Sequence, residues 1–221
     1  GAGGPEPTSF ISTPPKKNAP NRMARTIPHV PVTILKNATV DRGEGAGTVD
    51  VTIDEGVIVA IGTAGPPQPG AEVVDLTGHV LLPAPVEPHA HLDKAFLAET
   101  VPNPRGDLLG AIEAMVAYRE RLTVADTIER AERAARLMAA NGYVAVRTHA
   151  DTTSDNGLTS VSALVEVRER VRGLIDVEIV ALCGSPVAGA AGAAQRELLA
   201  EALDAGADLV GGCPHLEDFT P

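Results

Sequence analysis

The sequence is poor in aromatic residues: among 221 residues there is no Trp, and only two Tyr and three Phe occur. A folded core must therefore consist mainly of Val, Leu, Ile and Ala, the residues that fill the layers of α/β proteins. The same scarcity argues against an aromatic platform for stacking nucleic-acid bases. Basic residues are also in deficit, with 18 Lys and Arg against 29 Asp and Glu and a net charge of −11. This charge disfavours nucleic acid and anionic membrane as partners.

Cysteine and long apolar runs are scarce as well. Cys183 and Cys213 lie in separate apolar runs, which excludes a disulfide scaffold or a CxxC zinc site and favours a reducing compartment. No apolar stretch approaches the roughly 18–20 residues that span a bilayer, and no secretory leader pattern is evident at the N-terminus. We therefore expect a soluble, cytoplasmic protein that binds neither membrane nor nucleic acid.

Composition divides the chain into three segments. Residues 1–30 contain six Pro and three Gly, too little apolar surface to offset the entropy of ordering, so they predict a flexible extension. Residues 31–78 contain short β-branched runs between turn residues, which predict a small β-sandwich or sheet. From residue 79 to 221, strand-like runs alternate with amphipathic helical runs, the pattern of βα units. The strands predicted in the second segment are Val32–Leu35, Thr48–Ile53, Gly56–Ile61 and Ala71–Leu76.

The third segment predicts an α/β fold, the N-terminal half of a (β/α)8 TIM-like barrel. A complete barrel takes roughly 250 residues, whereas residues 80–221 number 142. Either the strands form an open doubly wound sheet, or a second polypeptide supplies strands five to eight. The predicted strands are His79–Val86, Tyr143–Thr148, Val177–Leu182 and Ala207–Gly212, and the predicted helices are Leu108–Glu120, Ala125–Ala140, Val161–Arg172 and Arg196–Ala205.

A histidine pair follows the first predicted strand of the half barrel. Alternate side chains of an extended segment share one face, so His89 and His91 can offer two imidazole nitrogens to one ion. His149 and His215 stand near the ends of later predicted strands, where the active sites of barrels collect. Without such context, HxH is more often a surface turn with hydrogen-bonded imidazoles.

Three stretches carry a family resemblance. They are residues 80–94 (VLLPAPVEPHAHLDK), 146–151 (VRTHAD) and 211–217 (GGCPHLE). In this order and spacing they resemble the first, second and fourth strands of the amidohydrolase superfamily, in its branch of bacterial cytosine deaminase and N-isopropylammelide isopropylamidohydrolase. The resemblance covers about residues 32–221. It implies a small sandwich beside a barrel, and one Zn or Fe ion whose bound water attacks the carbon of a C–N bond.

Members of that branch complete the metal centre with residues that have no counterpart here. They are a His on strand five with a nearby Glu that shuttles the proton, a His on strand six and an Asp on strand eight. We therefore predict His89 and His91 as metal ligands and no catalytic residue in this chain. A second polypeptide is expected to supply strands five to eight. Without it, we expect the chain to be inactive and to self-associate through its open edges. The competing hypothesis is an inactive half barrel that serves as a binding or structural module.

Substrate identity stays open. Gly184 stands where cytosine deaminase carries a Gln that recognises the pyrimidine ring, so cytosine itself is not the expected substrate. An s-triazine, a pyrimidine-like ring and an acyclic amide or carbamate are all compatible with the resemblance. Lys94 either meets an anionic or carbonyl group of the substrate or is a solvated lysine that pairs with Asp93 or Glu99.

Three further residues are candidates for substrate contact or for support of a metal ligand. His149 and Asp151 are expected just past the second strand on alternating sides, where one of them either orients a ligand by hydrogen bonding or caps the next segment. His215 follows the fourth strand and is a candidate for substrate contact or for a structural hydrogen bond. Both cysteines are expected to be small core residues.

Overall fold

The computed structural model describes residues 31–41 and 45–214, which divide after Leu82 into two compact units. The sequence placed this boundary four residues earlier, after residue 78. The predicted extension 1–30 and the candidate His215 lie outside the described residues.

The first unit is built on one four-stranded mixed sheet with the order β3-β2-β1-β4. β1 pairs antiparallel with β2 and parallel with β4. Glu55 and Gly56 connect β2 to β3 with positive φ at both positions, +49° and +78°, as a type I′ hairpin turn requires. All four predicted strands are confirmed; the described part of this unit forms one sheet, so the second sheet of a sandwich stays a prediction. The strands are β1 (Thr33–Asp41), β2 (Ala46–Asp54), β3 (Val57–Gly62) and β4 (Glu72–Asp75).

The second unit is a parallel sheet with connecting helices. Its strand order is β5-β6-β7-β8, so chain order and spatial order agree, as in a barrel segment. The reversal of strand order that defines a doubly wound sheet is not present among the described strands. The elements are β5 (Val86–Ala90), α1 (Leu108–Tyr118), α2 (Val124–Ala140), β6 (Ala145–Thr152), α3 (Thr159–Arg170), β7 (Asp176–Cys183), α4 (Ala193–Asp204) and β8 (Leu209–Gly211), with 3-10 turns at Leu92–Lys94, Leu97–Glu99 and Arg119–Arg121.

The first strand of this sheet lies later in the chain than predicted. The sequence placed it over His79–Val86, whereas β5 begins only at Val86. Pro83 and Pro85 have no backbone N–H to donate to a strand ladder, and Val80 instead forms an isolated bridge with Thr39 of β1. As a consequence, the histidine motif begins inside the strand and not after it.

The helices agree with the sequence to within a few residues. Thr123 caps α2 by accepting a hydrogen bond from the backbone N–H of Asp126 at 3.2 Å, and Gly142 with φ +88° ends it, as the Asn-Gly pair predicts. α1 is shorter than predicted, because the chain tightens into the 3-10 turn at Arg119. No helix in the described ranges has the length and apolar character that a membrane crossing requires.

The core of the second unit lies between one face of the sheet and α2, α3 and α4. Alternate residues of β6 and β7 point into it, among them Val146, Ala150 and Ile179, each at most 1% exposed. The intervening side chains of β6, which include His149 and Asp151, therefore lie on the opposite face of the sheet. That face carries the candidate site.

Candidate metal centre

His89 and His91 share one face at the carboxyl end of β5. The β5–β6 register shifts between Glu87 and Ala90, and Glu87 Oε1 accepts a hydrogen bond from the His89 backbone N–H at 2.9 Å. After this irregularity Ala90 pairs with Thr148 and packs against the core, which turns the two histidines to the opposite face. Their ring centroids lie 5.3 Å apart with the ring planes at 68°.

His149 brings a third imidazole to the pair. Its ring stacks on His89 with a centroid distance of 4.2 Å and lies 5.6 Å from the ring of His91. The expectation that His149 and Asp151 follow the strand on alternating sides is wrong: both lie within β6, where residues two apart share a face. Even so, the described residues contain no group of three or more His, Cys, Asp or Glu side chains that could hold a metal ion.

The hydrogen bond of His91 fixes which ring nitrogen is available to a ligand. Its Nδ1 lies 3.1 Å from the backbone carbonyl oxygen of His149. Because a carbonyl oxygen only accepts, Nδ1 carries the proton and Nε2 keeps its lone pair. Lys94 Nζ, 3.4 Å from the same Nδ1, cannot donate to a protonated nitrogen. A backbone carbonyl that holds the far nitrogen of the ring is typical of histidines that bind metal.

Burial favours the neutral form of the His91 and His149 imidazoles, and the neutral form is the one that binds metal. Burial lowers the pKa of His91, and the charge of Lys94 lowers it further, against the opposing charge of Asp93. Burial and then the charge of His89 lower the pKa of His149. The Nδ1 atom of His149 is buried and has no hydrogen-bond partner within the described part of the chain. The donor set thus fits part of a metal site, with two imidazoles on one face and a third ring packed against them.

An ion-pair cluster lies beside His91. Lys94 Nζ is 3.1 Å from Asp93 Oδ2 and 2.8 Å from Asp151 Oδ1. The backbone N–H of Asp151 donates to Asp93 Oδ2 at 3.1 Å, and Asp93 is only 2% exposed. These contacts hold the Lys94 ammonium between two carboxylates, which favours the paired alternative for this lysine over contact with a substrate.

Arg119 belongs to the same cluster and was missed from the sequence. Its Nη1 lies 2.7 Å from Asp155 Oδ2 and its Nη2 lies 3.3 Å from Asp151 Oδ2. The only sequence signal was its place at the end of a predicted helix between two strands, and this does not identify its partners.

The remaining candidates lie farther along the sheet. Gly184 directly follows β7, and a Cβ added there would lie 3.1 Å from Thr153 Cγ2 and 3.2 Å from Gln195 Oε1, which leaves little space for a side chain. Cys183 and Cys213 are half-buried and no disulfide joins them.

Comparisons with known proteins relate this arrangement to a family. No family model matches the chain. Pterin deaminase from Rhizobium rhizogenes is 31% identical over 175 residues, which cover 79% of this chain and 39% of that protein.

Two solved structures support the same relationship. The 5-methylcytosine deaminase of Klebsiella pneumoniae is 32% identical with a TM-score of 0.70, over 84% of this chain and 44% of that one. The N-isopropylammelide isopropylaminohydrolase of Burkholderia multivorans is 31% identical with a TM-score of 0.67, over 83% and 45%. The chain therefore spans less than half the length of these relatives. The fold, the histidine motif and these likenesses together show that the chain belongs to the amidohydrolase superfamily, in its branch of cytosine deaminase and N-isopropylammelide hydrolase.

Proposed function

We propose that this chain is the N-terminal part of a metal-dependent hydrolase that cleaves C–N bonds, with His89 and His91 as two ligands of one Zn or Fe ion. The observation that carries the proposal is the His91 ring: its Nδ1 is bound to the His149 carbonyl, so its Nε2 is free on the face that it shares with His89. When bound, the ion supplies an activated water for hydrolysis.

The chain's own residues hold and orient the imidazoles. His149 stacks on His89 and restricts its rotation, while its carbonyl fixes the tautomer of His91. Two imidazoles alone hold a divalent ion weakly, since structural and catalytic zinc sites use three or four protein ligands. We assign no general acid or base to residues 31–41 and 45–214, so the missing ligands and the proton-transfer group belong to the remainder of the enzyme.

We further propose that strands five to eight pair with this sheet, supplied by a second polypeptide. Apolar side chains on the two edge strands support the pairing with further strands: Val86 of β5 is 54% exposed, and Leu209 and Val210 of β8 are 41% and 48% exposed. Leu209 and Val210 are adjacent and therefore point to opposite faces of the sheet. Strands that are apolar on both faces are normally buried in parallel sheets, and pairing at β5 and β8 would bury them.

The proposed substrate is a nitrogen heterocycle that loses an amine by hydrolysis. Three relatives are named for such rings, namely pterin, 5-methylcytosine and N-isopropylammelide. Pterin and 5-methylcytosine are the first substrates to test, because two of these relatives are named as deaminases of these rings.

Metal analysis tests the ligand assignment. We expect about one Zn or Fe per chain in the purified assembly, and its loss in the double variant His89→Ala plus His91→Ala. His79→Ala is the matched control, because His79 is an exposed histidine of the first unit. Release of ammonia from pterin or 5-methylcytosine should disappear together with the metal. Metal that remains in the double variant would place the ion elsewhere.

Native mass spectrometry separates this proposal from the inactive module. The hydrolase requires a stoichiometric second polypeptide in the active species. A protein that is stable without a partner, free of metal and inactive on both substrates would favour a binding or structural role for the half barrel.

A further inference from the structure

Arg119 connects two loops at the carboxyl end of the second sheet. It follows α1, in the long connection between β5 and α2. Its Nη1 contacts both carboxylate oxygens of Asp155, at 3.0 and 2.7 Å, in the loop after β6, and its Nη2 contacts Asp151 at the end of β6. The side chain is only 14% exposed. An arginine that is this buried and spans two carboxylates holds both segments in one arrangement.

Asp151 links Arg119 to Lys94 and Asp93. One oxygen of this carboxylate, Oδ2, accepts from Arg119, while the other, Oδ1, accepts from Lys94 at 2.8 Å. The Asp151 backbone N–H in turn donates to Asp93. Asp93 and Lys94 form the 3-10 turn directly after His91. The orientation of Asp151 therefore affects the segment that carries His91.

Formal charge shows why Arg119 is needed there. With Arg119 present, the three carboxylates of Asp93, Asp151 and Asp155 face two cations, and the cluster carries a net charge of −1. Without it the net charge is −2: Asp155 loses its guanidinium partner, and the Asp93 and Asp151 carboxylates are left with Lys94 as their cation. Repulsion between these two carboxylates, which are 2% and 15% exposed, is then less compensated, and turning Asp151 away relieves it only by breaking its contacts with Lys94 or Asp93.

From this geometry we infer that Arg119 is a positioning residue that holds the His91 segment in the arrangement required for metal binding. The inference rests on the proposed function, since it takes His91 to be a ligand. It assigns to the loop that contains α1 a role in the site that the sequence did not predict. Arg119 acts through Asp151 and Lys94, and within the described ranges of the chain it contacts no imidazole.

The test compares Arg119→Gln with Arg121→Gln in the purified assembly. Arg121 belongs to the same 3-10 turn but is exposed, so it is a matched control. Two quantities are measured: the affinity for Zn²⁺ alone, by chelator competition, and the hydrogen exchange of the Asp151 backbone N–H. We expect Arg119→Gln to weaken Zn²⁺ binding by up to about 10-fold, the lower end of the range for residues that contact a metal ligand directly, because Arg119 acts through Asp151. We also expect it to speed hydrogen exchange at the Asp151 N–H. Arg121→Gln should change neither.

The outcomes separate this inference from the proposed function. A wild-type protein that binds no Zn²⁺ refutes the proposed function, and this inference with it. If Arg119→Gln binds Zn²⁺ as tightly as the wild-type protein does, this inference alone is refuted. That holds even if hydrogen exchange at the Asp151 N–H is faster in the variant, because Arg119 would then stabilise only the loop. If Arg119→Gln does not fold, Arg119→Lys carries the same test with a smaller loss, since one ammonium is a point charge that cannot match both carboxylates.

Discussion

Replacing Asp93 should strongly destabilise the second unit. Its carboxylate is 2% exposed, and its Oδ2 accepts from Lys94 Nζ and from the backbone N–H of Asp151, both at 3.1 Å. We predict that Asp93→Ala lowers the free energy of unfolding by about 2–4 kcal/mol. The loss should be smaller than the roughly 3–5 kcal/mol measured when a buried pair is broken outright, because Lys94 retains Asp151 as a partner.

The magnitude comes from two contacts. Without the carboxylate, the Asp151 backbone N–H loses its acceptor, and an unsatisfied buried donor costs about 1–3 kcal/mol. Lys94 loses one of its two anionic partners, and a hydrogen bond to a charged group contributes about 1.5–3 kcal/mol, reduced here because the ammonium is 23% exposed and stays paired. Asp93→Asn retains an acceptor for the Asp151 N–H but removes the charge, so we expect a loss of about 1–2 kcal/mol for it.

Urea unfolding followed by circular dichroism measures these losses, with Asp176→Ala as the control. Asp176 is exposed at the start of β7, and a substitution at such a surface position changes stability by no more than about 0.5 kcal/mol. If Asp93→Ala were no more destabilised than Asp176→Ala, the cluster would not hold the turn after His91, and the reasoning that links it to the site would be wrong.

Two other predictions concern the core and the response to pH. Leu164→Ala, at a fully buried position, should cost about 2–5 kcal/mol in urea unfolding, whereas Leu108→Ala, at a position 76% exposed, should cost no more than about 0.5 kcal/mol; equal losses would contradict the packing. Burial lowers the pKa of His91 and His149 from 6.5 in the folded protein. As pH falls, the unfolded chain therefore binds protons before the folded one does. The free energy of unfolding of the metal-free protein should then decrease as pH falls from about 7.5 to 5.5. If the double variant His91→Gln plus His149→Gln loses this pH dependence, the two histidines are its origin. If the slope of the free energy of unfolding against pH is unchanged in the variant, they are not.

The histidine pair shows what the sequence predicts well. The first strand was placed several residues too early, yet His89 and His91 still share a face. This follows from the twofold alternation of any extended segment and does not depend on where the strand begins. The placement of the strand itself failed because Pro83 and Pro85 were read as part of an apolar run, although neither has an N–H for the ladder.

The ion-pair cluster shows what the sequence does not predict. Arg119 and Asp151 are 32 residues apart, and the contact between them depends on the path of the connection that contains α1. No periodic pattern encodes that path. Asp93 and Lys94 were candidates through the resemblance alone, and their partner Asp151 could be identified only once β6 was seen to extend to Thr152.

The order of the strands favours a barrel segment over the doubly wound alternative that the sequence left open. A doubly wound sheet reverses its strand order at a switch point, whereas β5 to β8 follow one another in chain order. In β6, buried Val146, Thr148 and Ala150 alternate with Arg147, His149 and Asp151, so one face packs against helices and the other carries the polar groups of the candidate site. In a barrel that second face is the inner one, and catalytic groups collect at the carboxyl ends of the strands. We therefore expect the ligands that His89 and His91 lack to come from the strands that would close this inner face, whichever polypeptide carries them.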